Sequence, residues 1–325
     1  KAGRHLLRLI NEVLEISRIE AGREDFSLEP VALAPLLQEA LGLVRPLAQQ
    51  HHVELREGAG PAEAFVHADR QRLVQVLLNL LSNAIKYNRP GGHVRLGCEP
   101  AGEGRWAVRV EDSGRGIPAD RRDQLFTPFA RLGAEQTEVE GTGLGLALSQ
   151  RLCEAMGGTL RLEASGAEGS TFRVELAAAT DPVRLLEDTG TFVVPHAAHR
   201  DATLLYVEDN LANLTLVETI LLARPGWRTI PALQGQLGVE LAREHLPDVI
   251  LLDLHLPDIP GDEVLRRLRA DARTARIPVV VVSADATRGS LERLQAAGAD
   301  AYLTKPLDVD EFLTVVERFL PAVGP

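Results

Sequence analysis

Apolar residues recur at intervals of three to four positions along the first twenty residues of the chain. This stripe comprises Leu6, Leu9, Ile10, Val13, Leu14 and Ile16. The spacing predicts an amphipathic helix over residues 4–20, and Gly22 is a suitable residue to end it. A stripe this apolar needs a partner, and another helix in a bundle is the simplest one.

Helical and strand-like patterns then alternate up to about residue 176. The predicted helices cover residues 35–50, 69–87, 119–126 and 143–156. The predicted strands cover residues 26–31, 52–57, 64–68, 93–99, 105–111, 159–165 and 170–176. Gly-rich connections at 112–118 and 132–145 are predicted to be irregular. Residues 177–200 show no sustained period, which is typical of an interdomain linker.

A different rhythm begins at residue 203, where short apolar runs are separated by helical stretches. These runs are TLLYV, DVILL, PVVVVS and AYL. The pattern predicts a βα repeat with buried parallel strands. We therefore expect a helical segment over 1–25, a mixed α/β domain over 26–178, a linker over 179–200 and a second domain over 201–325.

Length and composition narrow the class of protein. The 325 residues suggest about two domains. With 45% hydrophobic and 25% charged residues, the chain does not have the composition of a disordered or fibrous protein. No apolar run reaches the length of roughly 18–20 residues that a membrane span requires. Two cysteines cannot form a disulfide framework, which favours a cytoplasmic location, with any membrane anchor upstream of Lys1.

Charge gives two further indications. The net charge of −11 disfavours nucleic acid as a partner. Of the 35 basic residues only Lys1, Lys86 and Lys305 are lysines. Where arginine is the default, an internal lysine is interpreted as marking a site that needs a compact point charge.

The predicted helix over 69–87 carries the first candidate site. Asn79, Asn83 and Lys86 are spaced i, i+4 and i+7, so they share one helix face. Carboxamide oxygens suit a hard cation such as Mg²⁺, and an ammonium group suits phosphate. Taken alone, such residues are more often simply solvated on a helix surface.

Two Gly-rich loops accompany this helix. Asp112 follows a predicted strand and precedes two glycines, so the backbone could approach a flat ligand while the carboxylate accepts from its amino group. A tight turn is the alternative. A second group of glycines opens the predicted helix at 143 and would expose N–H groups to phosphate. No strand directly precedes this second loop, which disfavours a dinucleotide-binding fingerprint. The glycines of the two loops are Gly114 and Gly116, then Gly141, Gly143 and Gly145.

The order of these motifs resembles that of a known family. NLLSNAIKYN, DSGRGIP, LFTPFARL and GTGLGLAL follow one another within about 70 residues. They resemble the N, G1, F and G2 boxes of the catalytic ATP-binding domain of sensor histidine kinases, over roughly residues 26–178. The resemblance implies a Bergerat-type α/β sandwich that binds ATP together with Mg²⁺.

Roles for individual residues follow from this resemblance alone. It implies that Asn83 ligates Mg²⁺ with Asn79 beside it, and that Lys86 meets the phosphates. Tyr87 would flank the nucleoside. Asp112 would accept from the adenine amino group, with the nearby Thr171 contributing a hydroxyl or a water. The glycines Gly114, Gly116, Gly141, Gly143 and Gly145 would let the backbone approach the nucleotide and a lid over 130–142 close, and Phe126 and Phe129 would pack at the base of that lid.

The N-terminal helix resembles another part of the same family. LINEVLEISRIEAG is similar to the end of the second helix of the dimerisation and phosphotransfer domain. The chain contains no motif like His-Glu-Leu-Arg-Thr-Pro-Leu, where the family's acceptor histidine lies. His5 stands in a different context, and the pair His51 and His52 begins a predicted strand. We therefore expect a chain that is part of a longer protein, with the acceptor histidine outside it and no autophosphorylation by this chain alone.

Polar residues at the predicted strand ends of the second domain form the second candidate site. Glu208 and Asp209 follow the first strand and Asp253 follows another, at the same sheet edge. Carboxylates gathered in this way repel one another unless a cation offsets them, and Asp253 beside a metal could act as a nucleophile. Ser283 and Lys305 follow later strands and could stabilise a phosphoryl group on Asp253. The alternative is that these acids cap the following helices.

The segments VEDN, LLDLHLPDIPG, VVVSA and YLTKP, in this order, resemble a response-regulator receiver domain over residues 201–322. This implies a flavodoxin-like (βα)5 fold with Asp253 as the phosphoacceptor. It also implies Ser283 and Tyr302 as a switch pair and Lys305 as the phosphate-contacting residue. A zinc site or a histidine nucleophile lacks supporting ligands. The implied Mg²⁺ ligands are Glu208, Asp209, Asp253 and the backbone carbonyl of His255.

The two resemblances describe the C-terminal part of a hybrid sensor histidine kinase. They imply transfer of the ATP γ-phosphoryl group to a histidine outside this chain and then to Asp253. The implied partners are a phosphotransfer histidine domain in cis or trans, a downstream histidine-phosphotransfer protein, and a second copy in a full-length homodimer. One alternative is an ATP-binding signalling module whose receiver is phosphorylated in trans. Another is an ATPase of the wider superfamily, whose hydrolases resemble one another in placing a glutamate where Asn79 stands.

Overall fold

A computed structural model describes residues 2–22, 26–61, 63–130, 142–189, 201–222, 224, 226–284 and 288–320. The chain divides into two compact units, Lys1–Ala179 and Thr180–Pro325. In the described parts of the chain, no helix has both the length and the hydropathy that crossing a membrane would require.

The first unit is a mixed α/β structure. Its helices are α1 (Ala2–Glu20), α2 (Leu33–Gln50), α3 (Arg70–Lys86) and α4 (Gly145–Ala155), with a 3₁₀ helix at Ala119–Gln124. Its strands are β1 (Glu29–Ala32), β2 (Glu54–Glu57), β3 (Phe65–Ala68), β4 (His93–Gly102), β5 (Arg105–Asp112), β6 (Thr159–Gly166) and β7 (Gly169–Ala177). Strands β1 and β3 pair with each other, and the other five form a sheet in the order β2-β4-β5-β7-β6.

Helices and sheet form two layers, as the sequence predicted for an α/β sandwich. Helix α3 packs against β4 and β5, and α2 and α4 also contact the sheet. The apolar face of α3 is fully buried, because its apolar residues recur at helical spacing. The sheet also carries charged side chains. Among them, Arg173 donates to Glu99, Glu163 and Glu175 over distances of 2.6, 3.3 and 2.6 Å.

Helix α1 packs on the first unit along only part of its apolar stripe. Ile16 and Ile19 contact the core, and Glu15 accepts from Arg72 at 2.6 Å. The stripe is therefore split between a side packed on α3 and α4 and a side open to solvent. The large apolar residues that remain exposed on α1 are Ile10, Val13 and Leu14.

The second unit is a doubly wound parallel sheet. Its strands are β8 (Ala202–Val207), β9 (Trp227–Ala232), β10 (Val249–Asp253), β11 (Val279–Ser283) and β12 (Ala301–Thr304). Its helices are α5 (Pro182–Thr189), α6 (Leu211–Leu222), α7 (Gly235–His245), α8 (Gly261–Ala270), α9 (Arg288–Ala296) and α10 (Val309–Glu317). The strand order β12-β11-β10-β8-β9 is the flavodoxin-like order predicted from the sequence.

Two elements of this unit differ from the expectations. Strand β9 was not among the predicted apolar runs. It lies at the sheet edge, where Pro231 and polar residues are tolerated. Helix α5 falls in the stretch interpreted as an aperiodic linker. Its Leu186 is buried in the core of this unit, and α5 contacts α6. A helix of eight residues is too short to establish a period, so only tertiary packing reveals it.

The loop that follows Asp253 is attached to α7 through Asp258. Its two carboxylate oxygens accept from the backbone N–H groups of Gly235 at 2.7 Å and Gln236 at 2.8 Å, at the start of α7. Burial acts to raise the pKa of Asp258, but these N–H donors prevail and lower it below the usual value. The side chain caps a helix of another segment and thereby orients the loop that follows β10.

We expect Asp258→Ala to lower the free energy of unfolding of the second unit by about 1 kcal/mol at pH 7, since the side chain is solvent-exposed. A depressed folded-state pKa contributes stability above the unfolded value of about 3.9, and this contribution is lost as the pH falls through the folded pKa. The gap between wild type and variant should therefore close below about pH 4 in urea titrations. A gap that persists in acid would contradict the assigned charge.

Candidate nucleotide and phosphoacceptor sites

Helix α3 begins at a capped position and presents the predicted polar face. The side chain of Asp69, its N-cap residue, accepts from the N–H of Arg72 at 3.1 Å. Asn79, Asn83 and Lys86 lie along one face of the helix and are partly buried. The three residues singled out by their spacing are therefore presented together, on the side of α3 that does not form the core.

Helix α4 begins directly beside Asn79. The Nδ2 group of Asn79 donates to the Oγ atom of Ser149 at 2.8 Å, and Ser149 is almost completely buried. A Cβ atom added at Gly145 would lie 2.4 Å from Asn79 Oδ1, so a larger residue there would require the Asn79 carboxamide to move. The contact with Ser149 was not predicted, because 70 residues separate Ser149 from Asn79.

The loop after β5 is held in place by the β6–β7 hairpin. Gly116 has a φ of +67°, and a Cβ atom there would lie 1.8 Å from the carbonyl oxygen of Gly166. The N–H of Ile117 donates to Ser165 Oγ at 2.7 Å. The glycine thus serves a close backbone approach within the protein, which the turn pattern alone did not indicate.

Asp112 is the last residue of β5 and directly precedes this loop. Its Oδ1 atom accepts from the N–H of Gly114 at 2.8 Å. Burial raises the pKa of the Asp112 carboxyl, although hydrogen bonds from Gly114 and Ser170 oppose that shift. Thr171 lies on the adjacent strand β7, where it pairs with Glu111 of β5. The predicted pair Asp112 and Thr171 therefore occupies neighbouring positions of the sheet.

The C-terminal end of α3 meets the same loop. A Cβ atom at Gly114 would lie 2.7 Å from the carbonyl oxygen of Tyr87, which explains the glycine there. The guanidinium of Arg115 lies over the Tyr87 ring, 5.1 Å from its centroid. The structure thus brings Tyr87 and the Asp112 loop together at the end of α3.

The second Gly-rich loop is described from residue 142 onward, so Gly141 and most of the predicted lid over 130–142 lie outside the described residues. Gly143 has a φ of +73°, and its carbonyl accepts from the N–H of Phe129 at 3.0 Å. Phe126 packs against the core as predicted. Phe129 is 61% exposed and contacts the described part of the loop through its backbone. Its packing against the lid stays a prediction, because most of the lid lies outside the described residues.

Helix α1 also contacts this loop. Thr142 Oγ1 donates to Glu12 Oε2 at 2.7 Å and accepts from the N–H of Leu144 at 3.3 Å. The first described residue of the glycine loop is therefore attached to the N-terminal helix, a contact that no sequence pattern indicated.

The carboxyl edge of the second sheet gathers the predicted acidic residues. Strands β8 and β10 are parallel neighbours, so Glu208, Asp209 and Asp253 meet there. All three are buried, and each offers a carboxylate oxygen within 4.8 Å of the others. Three clustered oxygen donors suit a hard divalent cation such as Mg²⁺. The donor set therefore fits the implied metal.

Lys305 links two of these carboxylates. Its Nζ atom lies 2.7 Å from Asp253 Oδ2 and 2.9 Å from Glu208 Oε2, and all three side chains are at most 4% exposed. Burial raises the pKa of Glu208, Lys305 opposes this shift, and the charge of Asp253 reinforces it. A single ammonium group therefore offsets part of a dense negative cluster.

The remaining predicted residues lie on the next two strands of the sheet or directly after Asp253. Ser283 ends β11 and is fully buried, and Tyr302 is partly buried on β12. The N–H of His255 donates to Asp253 Oδ1 at 3.0 Å, and its ring Nδ1 lies 4.0 Å from the same oxygen. Tyr206, which was not among the predicted site residues, donates to Glu208 Oε2 at 2.8 Å. A tyrosine in an apolar strand gives no signal of such a role.

The fold and the two sites define a protein that joins a nucleotide-binding α/β sandwich to a flavodoxin-like unit with an acidic pocket. Family models agree with both halves. Residues 68–180 match the histidine kinase-, DNA gyrase B- and HSP90-like ATPase family. Residues 204–317 match the response regulator receiver domain.

Similar proteins combine the same two parts. The virulence sensor protein BvgS of Bordetella bronchiseptica is 35% identical over 95% of this chain and 26% of its own length. The sensor histidine kinase AruS of Pseudomonas aeruginosa is 34% identical over 99% of this chain and 32% of its own. The chain thus spans about a quarter to a third of these relatives. Over nearly its whole length, the chain is therefore similar to proteins of the hybrid sensor histidine kinase class.

One solved structure resembles the chain over nearly its whole length. Full-length ShkA, crystallised in complex with AMPPNP, matches with a TM-score of 0.51 and 24% identity, over 98% of this chain and 90% of that chain. At this identity the match supports the fold, namely the succession of an ATPase-like α/β part and a parallel-sheet part.

Proposed function

We propose that this chain binds ATP in its first unit and receives a phosphoryl group on Asp253 in its second unit, as part of a two-component phosphorelay. The observation that carries the proposal is the pairing of two sites in one chain. Asn79 of α3 donates to Ser149 of α4, and the Asp112 loop meets the C-terminal end of α3 at Tyr87. In the other unit, Lys305 bridges Glu208 and Asp253. ATP bound in the first unit would be the source of the phosphoryl group that Asp253 finally accepts in the second unit.

In the first unit, Asp112 would accept from the adenine amino group, and Asn83 would hold a Mg²⁺ ion beside the phosphates. Lys86 would offset phosphate charge, and the glycine loop from Gly143 would offer N–H groups at the start of α4. Ser149 would keep the Asn79 carboxamide in place through its 2.8 Å hydrogen bond. Positioning and charge neutralisation provide most of the catalysis in phosphoryl transfer.

In the second unit, a carboxylate oxygen of Asp253 would attack a phosphohistidine, forming an O–P bond as the N–P bond breaks and the imidazole leaves. Glu208, Asp209 and Asp253 would hold Mg²⁺, together with the His255 carbonyl. The metal ion would offset charge on the transferring oxygens. Lys305 would stabilise the phosphoryl group on Asp253, with Ser283 and Tyr302 responding to it.

The phosphohistidine donor is proposed to lie in a dimerisation and phosphotransfer domain, supplied in cis or in trans. The N-terminal helix α1 supports this, because its sequence resembles the end of such a domain. A homodimer of the full-length protein and a downstream histidine-phosphotransfer protein are the further partners proposed.

Labelled ATP tests the whole proposal. The chain is incubated with γ-labelled ATP and Mg²⁺, first alone and then with a kinase core that carries an acceptor histidine but has no functional ATP-binding domain. We expect label on Asp253 only after that addition, and none in Asp253→Asn. Rapid release of inorganic phosphate without the addition would instead indicate a hydrolase. If Asp253 becomes labelled only when a second kinase with its own functional ATP-binding domain is added, the result would favour a receiver that another protein phosphorylates in trans.

Asp112→Asn tests the nucleotide site separately. The amide places a donor group where the adenine amino group needs an acceptor, and a hydrogen bond to a charged group contributes about 1.5–3 kcal/mol. We expect ATP affinity to fall by roughly 10- to 100-fold in calorimetric titrations. Affinity for inorganic tripolyphosphate should remain unchanged, because that ligand has no base. Equal losses for both ligands would argue against an adenine contact.

A further inference from the structure

Tyr206 is a buried hydroxyl beside the phosphoacceptor site that the proposed mechanism does not use. It lies on β8 two residues before Glu208, so the two side chains lie on the same face of the strand. The residue is completely buried, and its hydroxyl donates to Glu208 Oε2 at 2.8 Å. A phenylalanine would fill nearly the same volume, so the hydroxyl itself needs an explanation.

The two oxygens of Glu208 have different donors. Oε1 accepts from the N–H of Asn210 at 3.1 Å. Oε2 accepts from the Tyr206 hydroxyl and also lies 2.9 Å from Lys305 Nζ. The same ammonium group is 2.7 Å from Asp253 Oδ2, so Lys305 is shared between two buried carboxylates.

A phosphoryl group on Asp253 changes the demand on Lys305. It replaces the single charge of the Asp253 carboxylate with a phosphoryl charge of about −1.5 to −2, which lies farther from the strand end, and the Lys305 ammonium group can help to offset it there. When Lys305 turns toward that group, Glu208 Oε2 loses a donor. Leaving a buried carboxylate oxygen without a donor costs at least 1–3 kcal/mol, and this cost would oppose the movement.

We propose that Tyr206 is a positioning residue whose hydroxyl holds Glu208 Oε2 and so releases Lys305 to contact a phosphoryl group on Asp253. Tyr206 touches neither the phosphoryl group nor the acceptor oxygen and acts only through Glu208. This inference rests on the proposed role of Asp253 and adds to it a residue that governs how easily the ammonium group is redistributed.

Tyr206→Phe in the full chain tests this inference, with beryllium trifluoride as a phosphoryl mimic at saturating Mg²⁺. We expect affinity for the mimic to fall by about ten-fold, the effect of one hydrogen bond to a charged group. Thr274→Val is the matched control. It removes another completely buried hydroxyl, which donates to Leu268 O at 2.8 Å on the connection between α8 and β11, at the opposite edge of the sheet. Affinity in the control should be unchanged.

A second readout observes Lys305 without any phosphoryl mimic. The chain has three lysines, so ¹⁵Nζ-labelled lysine gives an NMR spectrum that single substitutions assign. We expect the Lys305 signal to shift in Tyr206→Phe, because Lys305 becomes the remaining side-chain donor to Glu208 Oε2 among those described above. The signal should be unchanged in Thr274→Val. A purely structural role of the tyrosine predicts no difference between these variants.

The double variant Tyr206→Phe/Glu208→Gln decides whether the hydroxyl acts through Glu208. Because Glu208 is also a proposed Mg²⁺ ligand, this comparison uses the metal-free Lys305 signal rather than affinity for the mimic. In the Glu208→Gln background the neutral amide needs no charged donor, so removing the hydroxyl should not shift the Lys305 signal further. If Tyr206→Phe alone folds poorly, Glu208→Gln should restore its yield. A further shift in the double variant, or an unrestored yield, would overturn the inference.

The two proposals fail in different ways. Wild type that does not bind the mimic would refute the proposed role of Asp253, whereas the Lys305 signal still tests Tyr206 in that case. Wild type that binds it, together with Tyr206→Phe of equal affinity and an unshifted Lys305 signal, would refute the role of Tyr206 alone.

Discussion

Lys305→Met is expected to destabilise the second unit by about 3–5 kcal/mol in the absence of divalent cations. The ammonium group is buried between Glu208 and Asp253, at 2.9 and 2.7 Å. Methionine fills a similar volume but leaves two buried carboxylates without their shared cation. Removing one member of a buried ion pair is costly, because the remaining charges have lost their hydration and gain no partner in return.

Added Mg²⁺ should recover part of this loss. The implied ligands Glu208, Asp209 and Asp253 repel one another more strongly in the variant, so a cation should stabilise the variant more than it stabilises wild type. A ligand at 100 times its dissociation constant adds about 2.7 kcal/mol to the free energy of unfolding. Urea unfolding in EDTA and in Mg²⁺, followed by the circular dichroism of each chain, measures both effects.

Arg224→Met is the control for this prediction. Arg224 is also buried, and it lies 2.7 Å from Glu317, a carboxylate whose side chain is 31% exposed. Loss of the Arg224 guanidinium should destabilise the same unit. Added Mg²⁺ should restore none of this stability, because the acidic cluster found among the described residues lies at Glu208, Asp209 and Asp253 and does not include the partner of Arg224. If Mg²⁺ stabilised both variants equally, the ion would not be acting at the Asp253 cluster.

Gly116→Ala is expected to lower ATP affinity by at least about 100-fold, roughly 2.7 kcal/mol. The added Cβ atom would lie 1.8 Å from the carbonyl oxygen of Gly166, and the φ of +67° is unfavourable for alanine. The loop must therefore move away from the β6–β7 hairpin. This movement would displace Asp112, whose Oδ1 atom accepts from the N–H of Gly114 in the same loop.

Gly166→Ala provides the matched control on the other side of the same contact. A Cβ atom at Gly166 would meet no heavy atom within 4 Å of it, so this variant should bind ATP like wild type. Calorimetric titration with ATP compares the two, and thermal unfolding checks that both remain folded. Equal affinities for Gly116→Ala and wild type would mean that the loop is not part of the nucleotide site.

The sequence predicted regular elements well where a periodic pattern was long enough. In the first unit all the predicted helices and strands are present, with ends shifted by up to three residues, and the helix expected over 119–126 is a 3₁₀ helix over Ala119–Gln124. Strand β9 and helix α5 were missed, because an edge strand tolerates Pro231 and eight residues hold too few turns to define a period. The backbone contact between Phe129 and Gly143 was not predicted, since backbone contact leaves no mark in the side-chain pattern.

The candidate chemistry-bearing residues and their order along the chain come from the sequence alone. Asn79, Asp112 and Asp253 stand at motif positions that spacing and strand ends can mark, because period and turn chemistry are local. Only the tertiary structure decided which groups hold them. Ser149 meets Asn79 across 70 residues, and Lys305 meets Asp253 across 52. Such contacts depend on how separate elements pack, and the hydroxyl of Tyr206 acquires its partner only when β8 lies in the sheet.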